Sequence, residues 1–230
     1  MTFEQMPQDR QPALNIPSSI LAVLALCVGI HFGREYLLAA DSDLYVLFYG
    51  SFIPARYAES LYWEAFSSPV TYSLLHGSVA HLLNNVVWLV AFGSPVAKAM
   101  SKLRFSLFWI ACSVIAALFH YLADTTSIVP MIGASGAVSG MMGAAARSGF
   151  RLKADRDSGR RAIVLPPIAA LARSRTVLTF LGFYLLINVG IGVFGGTSGS
   201  AVADIAWQAH IGGLVAGFLL LPIFLQQPGR

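Results

Sequence analysis

Charge is what this chain has least of: Asp, Glu, Lys and Arg make up 11% of its 230 residues, where an ordinary soluble domain carries about a quarter. With 56% hydrophobic residues beside that deficit, the polar groups cannot cover a water-facing surface. That excludes a typical soluble globular domain and leaves a polytopic membrane protein. Cysteine is nearly missing too. Cys27 and Cys112 both fall in apolar runs, so neither a disulfide framework nor a zinc site is indicated, and both read as packing residues. The first 15 residues lack the apolar core of a cleavable signal peptide, since Glu4, Asp9 and Arg10 occupy them, and the first hydrophobic run is expected to stay in the protein. Two halves with paired, broken helices, the mark of many transporters, are also missing.

What the chain does have is a succession of apolar runs: residues 20–38 after Pro17, then 76–96, 105–122, 133–146, 177–194 and 203–225. Most approach the roughly 20 residues that a bilayer-crossing helix needs. His31 near the end of the first run reads as an interfacial or packing histidine, and Arg34 and Glu35 as snorkelling to the interface. Residues 41–68 are crowded with Tyr45, Phe48, Tyr49, Phe52, Tyr57, Tyr62, Trp63 and Phe66, which settle at headgroup level. A plain interfacial loop and a substrate-gating loop both fit that composition.

The net charge of +4 is concentrated. Arg147, Arg151, Lys153, Arg156, Arg160, Arg161, Arg173 and Arg175 lie between the fourth and fifth runs, where the Pro166-Pro167 pair breaks a run too short to cross. With six spans, these share one side with Arg10, Lys98, Lys102, Arg104 and Arg230, while Glu35, Asp41, Asp43, Glu59, Glu64, Asp124 and Asp204 lie toward the other. Basic residues flanking spans set orientation and need no nucleic acid to explain them. The expected fold is an all-α membrane bundle of six transmembrane helices with both termini cytoplasmic. Residues 1–17 form a short cytoplasmic tail, 18–226 the membrane domain and 227–230 a C-terminal tail.

Three polar sites then fall at one depth in the outer half. Ser135 opens the fourth run in Gly133-Ala134-Ser135-Gly136. His81 and Asn85 are four apart on the second run and share a helical face, while His210 lies in the sixth. A hydroxyl becomes a nucleophile when an imidazole accepts its proton, which suits Ser135 and His210 to acyl transfer. Gly136 with Gly140, and Gly213 with Gly217, form GxxxG pairs that clear both backbones for close approach; ordinary helix packing is the plainer use of the same glycines. His81 and Asn85 can aim donors at an oxyanion, or bond between helices. His76, five before His81, points elsewhere and suits a brace at the outer end. With Asp204 the one acidic residue near His210 in sequence, a dyad is favoured over a triad.

The His76-x4-His81-x3-Asn85 segment, Gly-Ala-Ser135-Gly and Ala209-His210-x2-Gly213-x3-Gly217, in this order from about residue 71 to 217, resemble the rhomboid intramembrane serine proteases. The resemblance implies Ser135 as nucleophile, His210 as general base, and His81, Asn85 and the Ser135 N–H as oxyanion donors. It also implies a six-helix core, a membrane-lying first loop, an active site opening to the extracytoplasmic side, hydrolysis without a cofactor or metal, and transmembrane protein substrates met within the bilayer. A bacterial cytoplasmic membrane follows from the same resemblance. Two departures stand out. Many members carry an aromatic residue four positions after the nucleophile, where this chain has Ser139, and their first-loop Trp-Arg pair is here Trp63-Glu64. The loop at residues 195–200 with the outer half of the fifth span is the expected gate. A rhomboid-like protein that binds or remodels client helices without cutting them, and a histidine-lined transporter, are the other functions considered.

Overall fold

The computed structural model describes residues 15–59, 63–154, 161–163, 165–194 and 206–225. The N-terminal tail with Arg10, Tyr62, the basic stretch 155–160, the expected gate loop at 195–200, Asp204 and Arg230 lie outside the described residues.

The described chain is a helical membrane bundle. Four helices are long and apolar enough to cross a bilayer: α1 (Ser18–Leu37), the continuous span Val79–Lys98, α7 (Lys102–Ala123) and α11 (Trp207–Phe224). The second of these is built from α5 (Val79–Trp88), a π turn (Leu89–Gly93) and α6 (Ser94–Lys98). Two more apolar helices are α8 (Ser135–Arg147) and α10 (Arg175–Phe194). Exposed Leu21, Leu26, Leu107, Leu118, Leu186 and Leu219 on α1, α7, α10 and α11 give the bundle an apolar exterior suited to lipid.

Local chemistry sets several helix starts. The Ser78 hydroxyl accepts the His81 N–H at 3.2 Å and caps α5, and the Ser101 hydroxyl accepts the Arg104 N–H at 3.3 Å and caps α7. Arg104 also donates to the Leu225 carbonyl, tying the start of α7 to the end of α11. α8 is launched by Gly133, whose φ of +121° suits only glycine. It ends in the Gly149–Phe150 turn, both with positive φ. Beyond that turn the chain forms a ribbon unforeseen from hydropathy, with β1 (Leu152–Ala154) antiparallel to β2 (Arg161–Ile163). Three residues per strand leave too short a pattern to read in advance. Pro166-Pro167 then precedes a single-turn helix, α9 (Ile168–Leu171).

α8 is the axis of the molecule. Its 13 residues are buried from Gly136 to Ala146, between α7 and α11. At 1.5 Å per residue it is about 20 Å long, shorter than the hydrocarbon core. The packing is backbone against backbone. A Cβ placed on Gly213 would stand 2.0 Å from the Gly136 carbonyl oxygen, one on Gly217 1.8 Å from that of Gly140, and one on Gly143 2.0 Å from that of Leu214. Both GxxxG pairs thus interlock, and Gly143 extends the same seam by one more contact.

The first loop is organised as α2 (Ala40–Gly50), α3 (Arg56–Glu59) and α4 (Trp63–Thr71), followed by a 3-10 turn at Tyr72–Leu74. Tyr45, Phe48, Trp63 and Phe66 face outward. The loop is tied down by hydrogen bonds from the Tyr57 hydroxyl to the Ala65 carbonyl at 2.7 Å and from the Thr71 hydroxyl to the Gly50 carbonyl at 2.8 Å. Arg56 lies over the Phe48 ring at 3.9 Å, and Phe52 pairs with Met131. Arg34 does not snorkel. It is 8% exposed, its Nε and Nη2 donate to the two Asp43 carboxylate oxygens at 2.6 and 3.3 Å, and its Nη1 donates to the His76 carbonyl at 3.2 Å. The His31 Nδ1–H donates to that same carbonyl at 3.2 Å. Asp43 on the next helix gives the guanidinium a partner within the fold, so it has no need to reach the interface.

Candidate active site

Ser135 is the first residue of α8, directly after the Gly133 turn. The earliest α8 amide bonded back to a carbonyl four residues before it is Val138, to Ala134. The N–H groups of Ser135 and Gly136 are therefore left over by the helix's own ladder, at the end where its dipole favours negative charge. Across from it, α11 begins at Trp207, so His210 falls in the first turn and not two turns in as a start near residue 203 implied. The glycine seam brings these two helix starts together, and His210 Nε2 is 2.8 Å from Ser135 Oγ.

His81 and Asn85 come from α5 and line the same cavity of about 1090 Å³ as Ser135 and His210. Gly133 separates the two sides. A Cβ on it would stand 2.6 Å from His81 Nε2 and 3.7 Å from Ser135 Oγ, so the missing side chain leaves open the space that both groups border. The Asn85 amide donates one hydrogen to the His81 carbonyl at 3.0 Å, keeping its second for another acceptor. The His76 ring packs edge-on to His81 at 5.2 Å between centroids, while the His76 carbonyl is held by Arg34 and His31. The rest of the wall is largely apolar and aromatic and includes the exposed Leu44, Tyr45 and Phe48 of α2 at its rim.

Two residues of α10 were not singled out from sequence. Asn188 Oδ1 lies 2.7 Å from His210 Nδ1, on the side of the ring away from Ser135. The Tyr184 hydroxyl donates to Ser139 Oγ at 2.6 Å, and Ser139 donates to the Ser135 carbonyl at 2.7 Å. The serine at the position four after Ser135 is thus engaged by an aromatic residue from another helix. The signal was present: Tyr184 and Asn188 are polar residues four apart inside an apolar run.

Such a constellation can pass a proton from a hydroxyl to an imidazole while donors wait nearby for a developing oxyanion. The Rhomboid domain family model matches the chain over residues 62–227. Over 156 residues the chain is 28% identical to Rhomboid protease GluP of Bacillus subtilis (strain 168), covering 68% of this chain and 25% of that protein. It is 30% identical over 160 residues to RHOMBOID-like protein 4 of Arabidopsis thaliana, covering 67% and 33%. To the Arabidopsis RHOMBOID-like protein 6, mitochondrial, it is 30% identical over 166 residues, covering 69% and 44%. The chain therefore spans between a quarter and less than half the length of these relatives.

Proposed function

The chain belongs to the rhomboid family, and from that premise we propose that it is an intramembrane serine protease acting on transmembrane segments near their outer ends. The observation that carries this reading is the 2.8 Å contact between Ser135 Oγ and His210 Nε2, at a cavity that His81 and Asn85 also line.

In the proposed reaction the substrate segment enters from the bilayer and unwinds locally, because a helix keeps its carbonyls in internal hydrogen bonds. Small or helix-breaking residues lower that cost. Ser135 Oγ attacks the exposed carbonyl carbon as His210 Nε2 takes its proton. The negative charge that collects on the carbonyl oxygen meets the Ser135 N–H at the start of α8, the free Asn85 amide hydrogen and His81. The imidazolium then gives its proton to the leaving amine. Water, activated by the same histidine, releases the acyl product. No cofactor enters these steps.

The topology completing this account has six spans, with both termini and the basic segment between α8 and α10 in the cytoplasm, the membrane domain at residues 18–226, and the cavity opening to the extracytoplasmic side of a bacterial inner membrane. The grouping of Arg147, Arg151, Arg173 and Arg175 at one end of α8 and α10 supports it. So does the position of Ser135 at the opposite end of α8, a helix too short to fill the hydrocarbon core alone. A non-cleaving, client-binding role is the second reading, and the intact serine–histidine contact argues against it. The test is cleavage of a panel of single-span substrates by the purified protein in vesicles, with Ser135→Ala and His210→Ala alongside. Cleavage lost in both variants supports the protease. A folded wild type that cuts nothing in a diverse panel moves the client-binding reading ahead.

A further inference from the structure

α10 is a one-sided helix. Phe183, Leu185, Leu186, Ile187 and Val189 are exposed, while Val177, Leu181, Tyr184 and Asn188 form the stripe turned to the bundle. An amide 6% exposed in such a place needs partners for both its ends. Asn188 has them. Its Nδ2 donates to the Tyr184 carbonyl at 2.8 Å, which fixes the amide's orientation and points Oδ1 at His210 Nδ1, 2.7 Å away. A carbonyl oxygen only accepts, so Nδ1 carries the hydrogen and Nε2 presents its lone pair to Ser135. A general base needs that tautomer.

We infer that Asn188 is a positioning residue for His210, so that the dyad works as a Ser135–His210–Asn188 triad whose third member is neutral and is carried on α10. This rests on the reading of Ser135 as nucleophile and His210 as base. An amide orients the ring without placing a counter-charge against the imidazolium that forms during attack, unlike an aspartate in the same place. Among the described residues, the other ionisable groups facing His210 are His81 from α5 and Tyr184 from α10. α8 faces it with Ser135 and Ser139, and α7 reaches α11 nearby with Phe119 and His120, while Asp41 lies across the cavity. Because α10 also meets α11 where Gly192 lies against the Trp207 indole, any displacement of α10 from α11 removes the base's holder as well as opening that side.

The experiment compares wild type, Asn188→Ala and Asn188→Asp in vesicles by two readouts: steady-state cleavage across pH, and the rate at which a fluorophosphonate phosphonylates Ser135 with loss of fluoride. Asn188→Ala is expected to lower kcat and the labelling rate about tenfold with KM unchanged, as for loss of one orienting hydrogen bond. Asn188→Asp keeps the acceptor that faces His210 Nδ1 and nearly the same shape, while giving up the bond to the Tyr184 carbonyl, and is expected to restore part of the rate. It also moves the acid limb of the profile up by about one pH unit, because a carboxylate favours the imidazolium. Wild-type rates in Asn188→Ala, or an Asn188→Asp profile that superimposes on wild type, overturn the proposal while leaving the nucleophile assignment standing. If Asn188→Ala fails to fold, the Asn188→Asp profile decides alone. A folded wild type that labels no faster than Ser135→Ala removes the nucleophile itself, and the triad with it.

Discussion

Replacing Gly213 by alanine tests whether the helix seam sets the chemistry. The added Cβ would lie 2.0 Å from the Gly136 carbonyl oxygen, a backbone atom that cannot rotate away, and 3.2 Å from Ser139 Cβ. Real Cβ atoms essentially never come within 3.0 Å of a neighbour, so α8 and α11 must part by about 1 Å at that level. Gly136 lies one residue after Ser135 and Gly213 three after His210, so the separation passes almost undiminished to the reacting pair. Their 2.8 Å contact stretches toward about 3.8 Å, beyond hydrogen-bonding range. A misplacement of that size costs roughly a hundredfold in rate. The assay is kcat/KM for a single-span substrate in vesicles, together with the fluorophosphonate labelling rate of Ser135, which does not depend on substrate entry. Gly182→Ala is the control, since its Cβ meets nothing within 4 Å, and it should leave both rates unchanged. A folded Gly213→Ala variant retaining wild-type labelling would refute the idea that the seam holds the pair in register.

Gly133→Ala should abolish cleavage, because its φ of +121° suits only glycine and the new methyl would fill the space bordered by His81 Nε2 and Ser135 Oγ; labelling and thermal unfolding measured together separate a blocked site from an unfolded protein. Asp43→Asn should lower thermal stability by about 2 kcal/mol, since it weakens a charge-assisted pair with the buried Arg34, whereas Asp41→Asn should change it little. Cleavage should fall on acidification as His210 takes up a proton, and a flat profile through the histidine range would contradict the general-base role. The exposed Asp124 carboxyl is held below its ordinary range by hydrogen bonds from the Thr126 hydroxyl and amide. With the folded value depressed, its support of the turn is complete above the ordinary carboxylate range and is lost as pH falls through the depressed value, which faster exchange of the Thr126 amide hydrogen in acid would register.

The long apolar helices were legible because a lipid-crossing segment must be apolar along nearly its whole length, and that shows as runs in the sequence. Their ends were less so. A start near residue 203 for the last helix placed His210 too deep, because hydropathy does not register the non-helical backbone of Ala206, after which α11 begins at Trp207. The approach of α8 to α11 could be read from the Gly136/Gly140 and Gly213/Gly217 spacings, since only small residues let backbones meet. Tyr184 and Asn188 were less legible, because an acid near His210 in sequence is the usual sign of a ring partner, whereas this neutral amide comes from another helix. Arg34 was misjudged for the same reason. Hydropathy speaks to where a side chain could go along its own helix, whereas Asp43 and the His76 carbonyl are brought to it by the turn between α1 and α2 and by the segment leading into α5.

The central claim is that His210 activates Ser135 for attack on an acyl carbon. It is tested most directly by treating the protein in vesicles with a fluorophosphonate and locating the adduct by tandem mass spectrometry. The account predicts a single phosphonylated serine, Ser135, in wild type, and a loss of that adduct in folded His210→Ala. Equal modification of Ser135 with and without the histidine, or an adduct at another residue while Ser135 stays bare, would contradict it.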